Sequence, residues 1–177
     1  EYALQNTRVV CYVENEITAA AVLAAHMEQG RLAEAPIWTD LRSFDGKPWR
    51  GLVDGITGGY PCQPFSLAGK QKGTDDPRHL WPYIARIVSD VQPEFCFFEN
   101  VANHLRVGGR EVLRDLQRLG YRTAATLYRA AEVGAPHRRE RFFILAVANP
   151  QRFNREQSDK QRRGILSEQT EQGSTNG

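Results

Sequence analysis

Val53-Asp54-Gly55-Ile56-Thr57-Gly58-Gly59-Tyr60-Pro61-Cys62-Gln63-Pro64-Phe65-Ser66 is the stretch from which the rest of the chain is read. Residues 53–57 form a short strand-like run, and the Gly58-Gly59 pair ends it and opens a loop that continues to Pro77. A helical pattern follows over 80–91, with Leu80, Ile84, Ile87, Val88 and Val91 on one face. Strand, loop and helix make one unit of an alternating chain, and the flanks repeat the unit. Upstream, residues 8–13 are β-branched, 17–28 are Ala-rich and helical, and 36–38 form a brief strand. Downstream, 94–98 is an apolar strand, 110–119 an amphipathic helix stopped by Gly120, and 121–128 and 142–148 are strands. Such alternation predicts an α/β fold: a mostly parallel sheet with helices on both faces.

Composition narrows the class. The chain has 177 residues, enough for one buried core. Lys plus Arg number 23 and Asp plus Glu 21, a net charge of +2, so nucleic-acid contact has to come from local basic clusters. No apolar run reaches the ~18 residues of a membrane span, and no signal-peptide pattern is present. Three widely spaced cysteines argue against a disulfide framework and against a zinc site, and a cytoplasmic setting is expected. Beyond Asn149-Pro150 only Phe153, Ile165 and Leu166 are strongly apolar, so 149–177 reads as a polar linker or the start of another region. The only methionine is Met27, and the expectation is a piece of a longer chain.

In parallel sheets, ligands bind where strand ends open into loops, so polar residues just past strands come first. Glu14 ends the first strand; a carboxylate there can take ribose hydroxyls, or simply sit solvated near a helix N-terminus. Asp40 follows the second strand, either as an acceptor for an adenine amino group or as a turn residue. Cys62 lies between two prolines in a turn-rich loop, where a thiolate is a good covalent nucleophile. Cys11 and Cys96 lie within apolar strands and read as core. Glu99 ends a strand where desolvation is expected to favour the protonated carboxyl, able to donate a proton. Arg139 and Arg141 alternate to one side of an extended segment, suited to holding a carbonyl or phosphate, or forming a solvated basic patch.

Taken singly, these residues leave both readings open. In this order, they resemble the DNA cytosine-5 methyltransferases. The match is strongest from Asp54 through Lys70 and continues through Gly73, Asp76, Arg78, Leu80 and Arg86. Glu99-Asn100-Val101 resembles the second catalytic motif. Gly134-Ala135-Pro136-His137-Arg138-Arg139-Glu140-Arg141 resembles the Gln-x-Arg-x-Arg motif, with His137 where glutamine is usual.

The resemblance implies a Rossmann-like S-adenosylmethionine-dependent methyltransferase fold over residues 1–148. It implies Cys62 as the nucleophile toward carbon 6 of a flipped-out cytosine, Glu99 at the ring nitrogen and amino group, and Arg139 at the carbonyl oxygen. For the S-adenosyl-L-methionine cofactor it implies Glu14 on the ribose, Asp40 and Leu41 at the adenine, and Pro61 and Leu80 packing nearby; Asn15 stands where the family often has a large apolar residue. Gln63, Ser66, Lys70, Lys72, Asn100, Arg139 and Arg141 are the expected DNA contacts, with 63–77 as a closing loop. No Phe-x-Gly-x-Gly-type turn stands before Glu14, so the first central strand of the sheet is expected to be absent, as is the target-recognition region. The implied partner of the complete enzyme is double-stranded DNA, with no membrane; the complete enzyme would be a monomer of bacterial or phage origin, in a restriction–modification setting. A tRNA-acting relative and a non-catalytic nucleic-acid-binding remnant are the alternatives; serine at position 66 favours the DNA enzymes.

Overall fold

The structure, a computed structural model, describes residues 7–61 and 80–150. In chain order the elements are β1 (Tyr12–Val13), α1 (Ile17–Glu28), β2 (Ile37–Trp38), β3 (Gly55–Gly59), α2 (Trp81–Val91), β4 (Phe95–Val101), α3 (Gly109–Arg118), β5 (Tyr121–Arg129) and β6 (Glu140–Ala148). They form a two-stranded parallel sheet, β1–β2, and a four-stranded sheet in the order β3-β4-β6-β5.

Within the larger sheet β3 runs parallel to β4, and β6 is antiparallel to both β4 and β5. Three strands therefore share one direction and β6 alone opposes them. The cause is the β5–β6 connection. Its ten residues contain only the 3₁₀ turn Ala130–Val133, too little for the helical crossover that a parallel return needs.

Two strands outrun their expected ends. Gly58 and Gly59 do not stop β3; they pair with Phe98 and Glu99 of β4. Nor does β4 stop at Phe98, since Glu99, Asn100 and Val101 pair with Phe143, Phe142 and Arg141 of β6. Glu99 thus lies inside a strand, held by neighbours on both sides. The partner ladder, not local propensity, sets these limits.

The core sits between one sheet face and the helices α2 and α3. Trp81, Ile84 and Val88 of α2 and Val112 and Leu116 of α3 pack on Cys96, Phe98, Phe142, Ile144 and Ala146. A fully buried side chain of this size contributes about 1.5–3 kcal/mol. Helix α2 begins with Pro82 in its first turn and ends at left-handed Gln92, followed by Pro93. The Trp81 indole donates to Asp115 of α3 at 2.9 Å, and the Tyr121 hydroxyl donates to the Pro93 carbonyl at 2.9 Å.

The expected covering of both faces is met on one face of the larger sheet. Among the described residues, the opposite face leaves Phe97, Val101, Leu145 and Val147 about two-fifths exposed. Helix α1 buries none of its residues and so gives that face no packed cover. No ladder joins β1 to β3 among the described residues, so the two sheets stay separate. The core does continue beneath them, because Cys11, just before β1, and Ile56 of β3 pack on the same Phe44–Ile87–Val91 cluster.

Candidate active site

Strand alternation splits the end of β4 between two faces. Glu99 lies on the open face and Asn100 on the helix-covered face. Opposite Glu99 stands Gly59, where an added Cβ would lie 3.3 Å from Glu99 Oε2. The missing side chain is what leaves room for the carboxylate. On the other side, Arg141 Nε reaches Glu99 Oε1 at 2.5 Å. Arg141 opposes Val101, so it meets Glu99 diagonally across β4 and β6.

Glu99, expected to be partly desolvated, is half-buried. Its side chain keeps 38% of its surface and faces a guanidinium. The strand continues past it, and among the described residues no helix is packed on this face. Arg141, expected at DNA, is engaged by this carboxylate. Arg139 lies exposed just before β6, and among the described residues its guanidinium makes no ion pair; its carbonyl accepts from Ala130 N–H at 2.8 Å. The two arginines therefore have different surroundings.

Asn100, expected at DNA, lies in the interior. It is 5% exposed, its Nδ2 donates to the Tyr60 carbonyl at 3.0 Å, and its Oδ1 accepts from Val101 N–H. Tyr60 is a buried hub at the end of β3. Its ring lies among Trp81, Phe98 and His104, and its oxygen is 2.9 Å from His104 Nε2. Burial pushes the His104 imidazole below its ordinary value, ahead of an opposing backbone hydrogen bond at Val107. A neutral imidazole can accept the Tyr60 hydroxyl proton at Nε2. Both the backbone and the side chain of Tyr60 are thus fixed one residue before Pro61, which is itself exposed.

The cofactor candidates sit at the same strand ends. Glu14 follows β1; its N–H donates to the Trp38 carbonyl, and its Oε1 accepts from Glu16 N–H at 2.9 Å. Glu16 caps α1, and its bonds from Ala19 and Thr18 hold its carboxyl below the usual range. Asp40 follows β2, where its Oδ1 accepts from Arg42 N–H at 2.9 Å, an Asx-type turn. Each carboxylate keeps its second oxygen without a hydrogen bond from the described residues. Leu41 and Leu80 are half-buried against the core. Cys62, Gln63, Ser66, Lys70 and Lys72 lie outside the described residues.

Tyr60 as an anchor and His104 altogether were missed from the sequence. His104 sits in the 3₁₀ turn Ala102–Leu105, too short to show a hydrophobic period.

Residues 1–175 match the family of C-5 cytosine-specific DNA methylases. Among similar proteins, the Type II methyltransferase M.AplI of Arthrospira platensis is 42% identical over 96 residues, covering 52% of this chain and 28% of the relative. M.NgoMIV of Neisseria gonorrhoeae is 32% identical over 144 residues, covering 79% of this chain and 45% of the relative. M.HhaI of Haemophilus parahaemolyticus is 39% identical over 101 residues, covering 54% of this chain and 31% of the relative. These matches span less than half of each relative's length. In the solved structure of Spodoptera frugiperda DNMT2, 82% of this chain superposes on 44% of that chain with a TM-score of 0.67 and 23% identity. S. pombe Dnmt2 gives a TM-score of 0.66 over 82% of this chain and 45% of its own. The fold is that of these methyltransferases.

Proposed function

Because the chain belongs to the C-5 cytosine-specific DNA methylase family, we propose that it carries the catalytic half-site of a DNA cytosine-5 methyltransferase. One observation carries the reading: Gly59, Glu99 and Arg141 converge at one sheet end, beside the anchored Tyr60-Pro61 segment that leads into Cys62.

Carbon 5 of cytosine is a weak nucleophile. Addition of the Cys62 thiolate at carbon 6 turns the ring into an enamine and makes carbon 5 reactive. Glu99 holds the ring nitrogen and amino group and donates a proton as charge builds. Arg141 keeps that carboxyl oriented, whereas exposed Arg139 is available to hold the cytosine carbonyl oxygen. After transfer, carbon 5 loses its proton and the Cys62–carbon bond breaks. The base has to leave the duplex to be reached, and Gln63, Ser66, Lys70 and Lys72 would contact DNA around it.

The residues present fit an adenosine-bearing cofactor. Glu14 and Asp40 follow two adjacent parallel strands, each with one carboxylate oxygen open to a ligand donor. Glu14 would take the ribose hydroxyls and Asp40 the adenine amino group, with Leu41, Pro61 and Leu80 as apolar neighbours. When bound, S-adenosyl-L-methionine supplies the methyl group. Residues 1–148 form the catalytic part in this reading, and 149–177 a polar linker toward target recognition. In this reading the complete enzyme works as a monomer in a bacterial cytoplasm, alongside a cognate restriction system.

Duplex DNA containing 5-fluorocytosine, incubated with S-adenosyl-L-methionine and the longest natural form of the protein, tests the mechanism. The expected result is a denaturation-resistant adduct that Cys62→Ala abolishes. No adduct, equal trapping by Cys62→Ala, or preferential methyl transfer to tRNA would overturn it.

A further inference from the structure

The turn after β2 is tied to helix α2 by one side chain. Arg86 of α2 donates from Nη1 to the Phe44 carbonyl at 2.9 Å, and from Nη2 to the Arg42 and Leu41 carbonyls at 3.1 and 3.3 Å. Three carbonyls within four residues thus converge on one guanidinium. It also faces Asp90, one turn on, at 3.6 Å. From the other side, the Trp38 indole donates to the Asp40 carbonyl and to Ser43 Oγ, and the Ser43 N–H and hydroxyl both donate to the Asp40 carbonyl. Phe44 closes the turn, buried on Ile87 and Val91 and stacked with Trp49. A planar fork with five donors can hold several carbonyls in fixed directions; an ammonium cannot.

We infer that Arg86 is a positioning residue for the cofactor site, setting the backbone of residues 41–44 before the adenine arrives. The inference rests on the reading that Asp40 and Leu41 receive that ring. Arg86 touches neither cofactor nor substrate; it removes the ordering cost that a loose turn would impose on binding. Arg50 supplies an internal control. It grips the same helix through the Asp90 and Ser89 carbonyls at 2.8 and 3.1 Å, yet no bond runs from its side chain to the turn.

The test is titration of S-adenosylhomocysteine into the longest natural form of the protein, with Arg86→Lys, Arg86→Gln, Arg50→Gln and Asp40→Ala alongside. Arg86→Lys and Arg86→Gln are expected to weaken binding by about tenfold or more, the scale of one lost charge-assisted bond. In turnover the loss should sit in the KM for S-adenosylmethionine rather than in kcat, and Arg50→Gln should bind as the parent does. Folded Arg86 variants that bind normally while Asp40→Ala weakens binding would overturn the inference alone. Normal binding by Asp40→Ala would overturn the adenine reading beneath it. Should the Arg86 variants fail to fold, hydrogen exchange on the parent decides. Slow exchange of the Arg42 and Ser43 amides without ligand supports a preset turn, and free exchange overturns it.

Discussion

Glu99 shows how much one neighbouring residue can determine. Its carboxylate is flanked by a residue with no side chain, Gly59, and by a guanidinium, Arg141. Gly59→Val would drive branched carbon atoms into the space beside Glu99 Oε2. Because position 59 is exposed, stability should change little, whereas kcat should fall by more than about tenfold. Glu99→Gln removes the proton donor and should lower kcat by roughly 10²–10⁴ with cofactor binding retained. Single-turnover methyl transfer checks both, and a Gly59→Val enzyme at parental rate would show that the carboxylate is not held in this pocket. The strand was expected to end at Phe98, so the separation of Glu99 from Asn100 on opposite faces comes from its extension to Val101. The position of Arg141 beside Glu99 was not legible, because it depends on the register of β6, set some forty residues away.

At the scale of elements, the helices were legible and the strand limits were not. Helix α2 carries apolar residues at helical spacing between a proline-marked start and a proline-marked stop, signals that are local. The ends of β3 and β4 are fixed by each other and by β6, and a glycine pair that locally reads as a stop becomes strand when its partner is long enough. Helix α3 presents Leu116 at zero exposure to the sheet, so Leu116→Ala should cost about 2–5 kcal/mol in urea unfolding. A cost under about 1 kcal/mol would mean that α3 does not seal the core. The turn after β4 brings a titratable group into the same core. His104 has its proton affinity depressed by burial, so the unfolded chain protonates first as pH falls. Stability is therefore unaffected above the ordinary value of 6.5 and declines below it. His104→Gln keeps a polar partner for Tyr60 and removes the titration, so its stability should fall less steeply from pH 6.5 toward 5. Parallel slopes for the two proteins in denaturation series would refute this account of His104.

For the whole molecule, the alternation of strands and helices gave the α/β class, but coverage of the sheet is a three-dimensional property that no local pattern carries. Helices were expected on both faces of the sheet; among the described residues, Phe97, Leu145 and Val147 form part of a face left open. Phe97 stacks on Phe143 with ring centroids 5.7 Å apart, and Phe143 also meets Tyr128, so the exposed side chains form a connected patch. Apolar patches of this kind favour self-association. The 177-residue chain on its own is therefore expected to bind a hydrophobic dye such as anilinonaphthalene sulfonate at neutral pH and to elute in part above monomer size. Leu145→Lys with Val147→Lys places two charges on this face without touching the helix-covered core. It should lower dye fluorescence and raise the monomer fraction, with little change in the unfolding midpoint. If the doubly substituted chain loses its cooperative unfolding transition, both positions lie in a packed interior and the open face is disproved. If the parent chain neither binds dye nor self-associates, the patch is covered in solution.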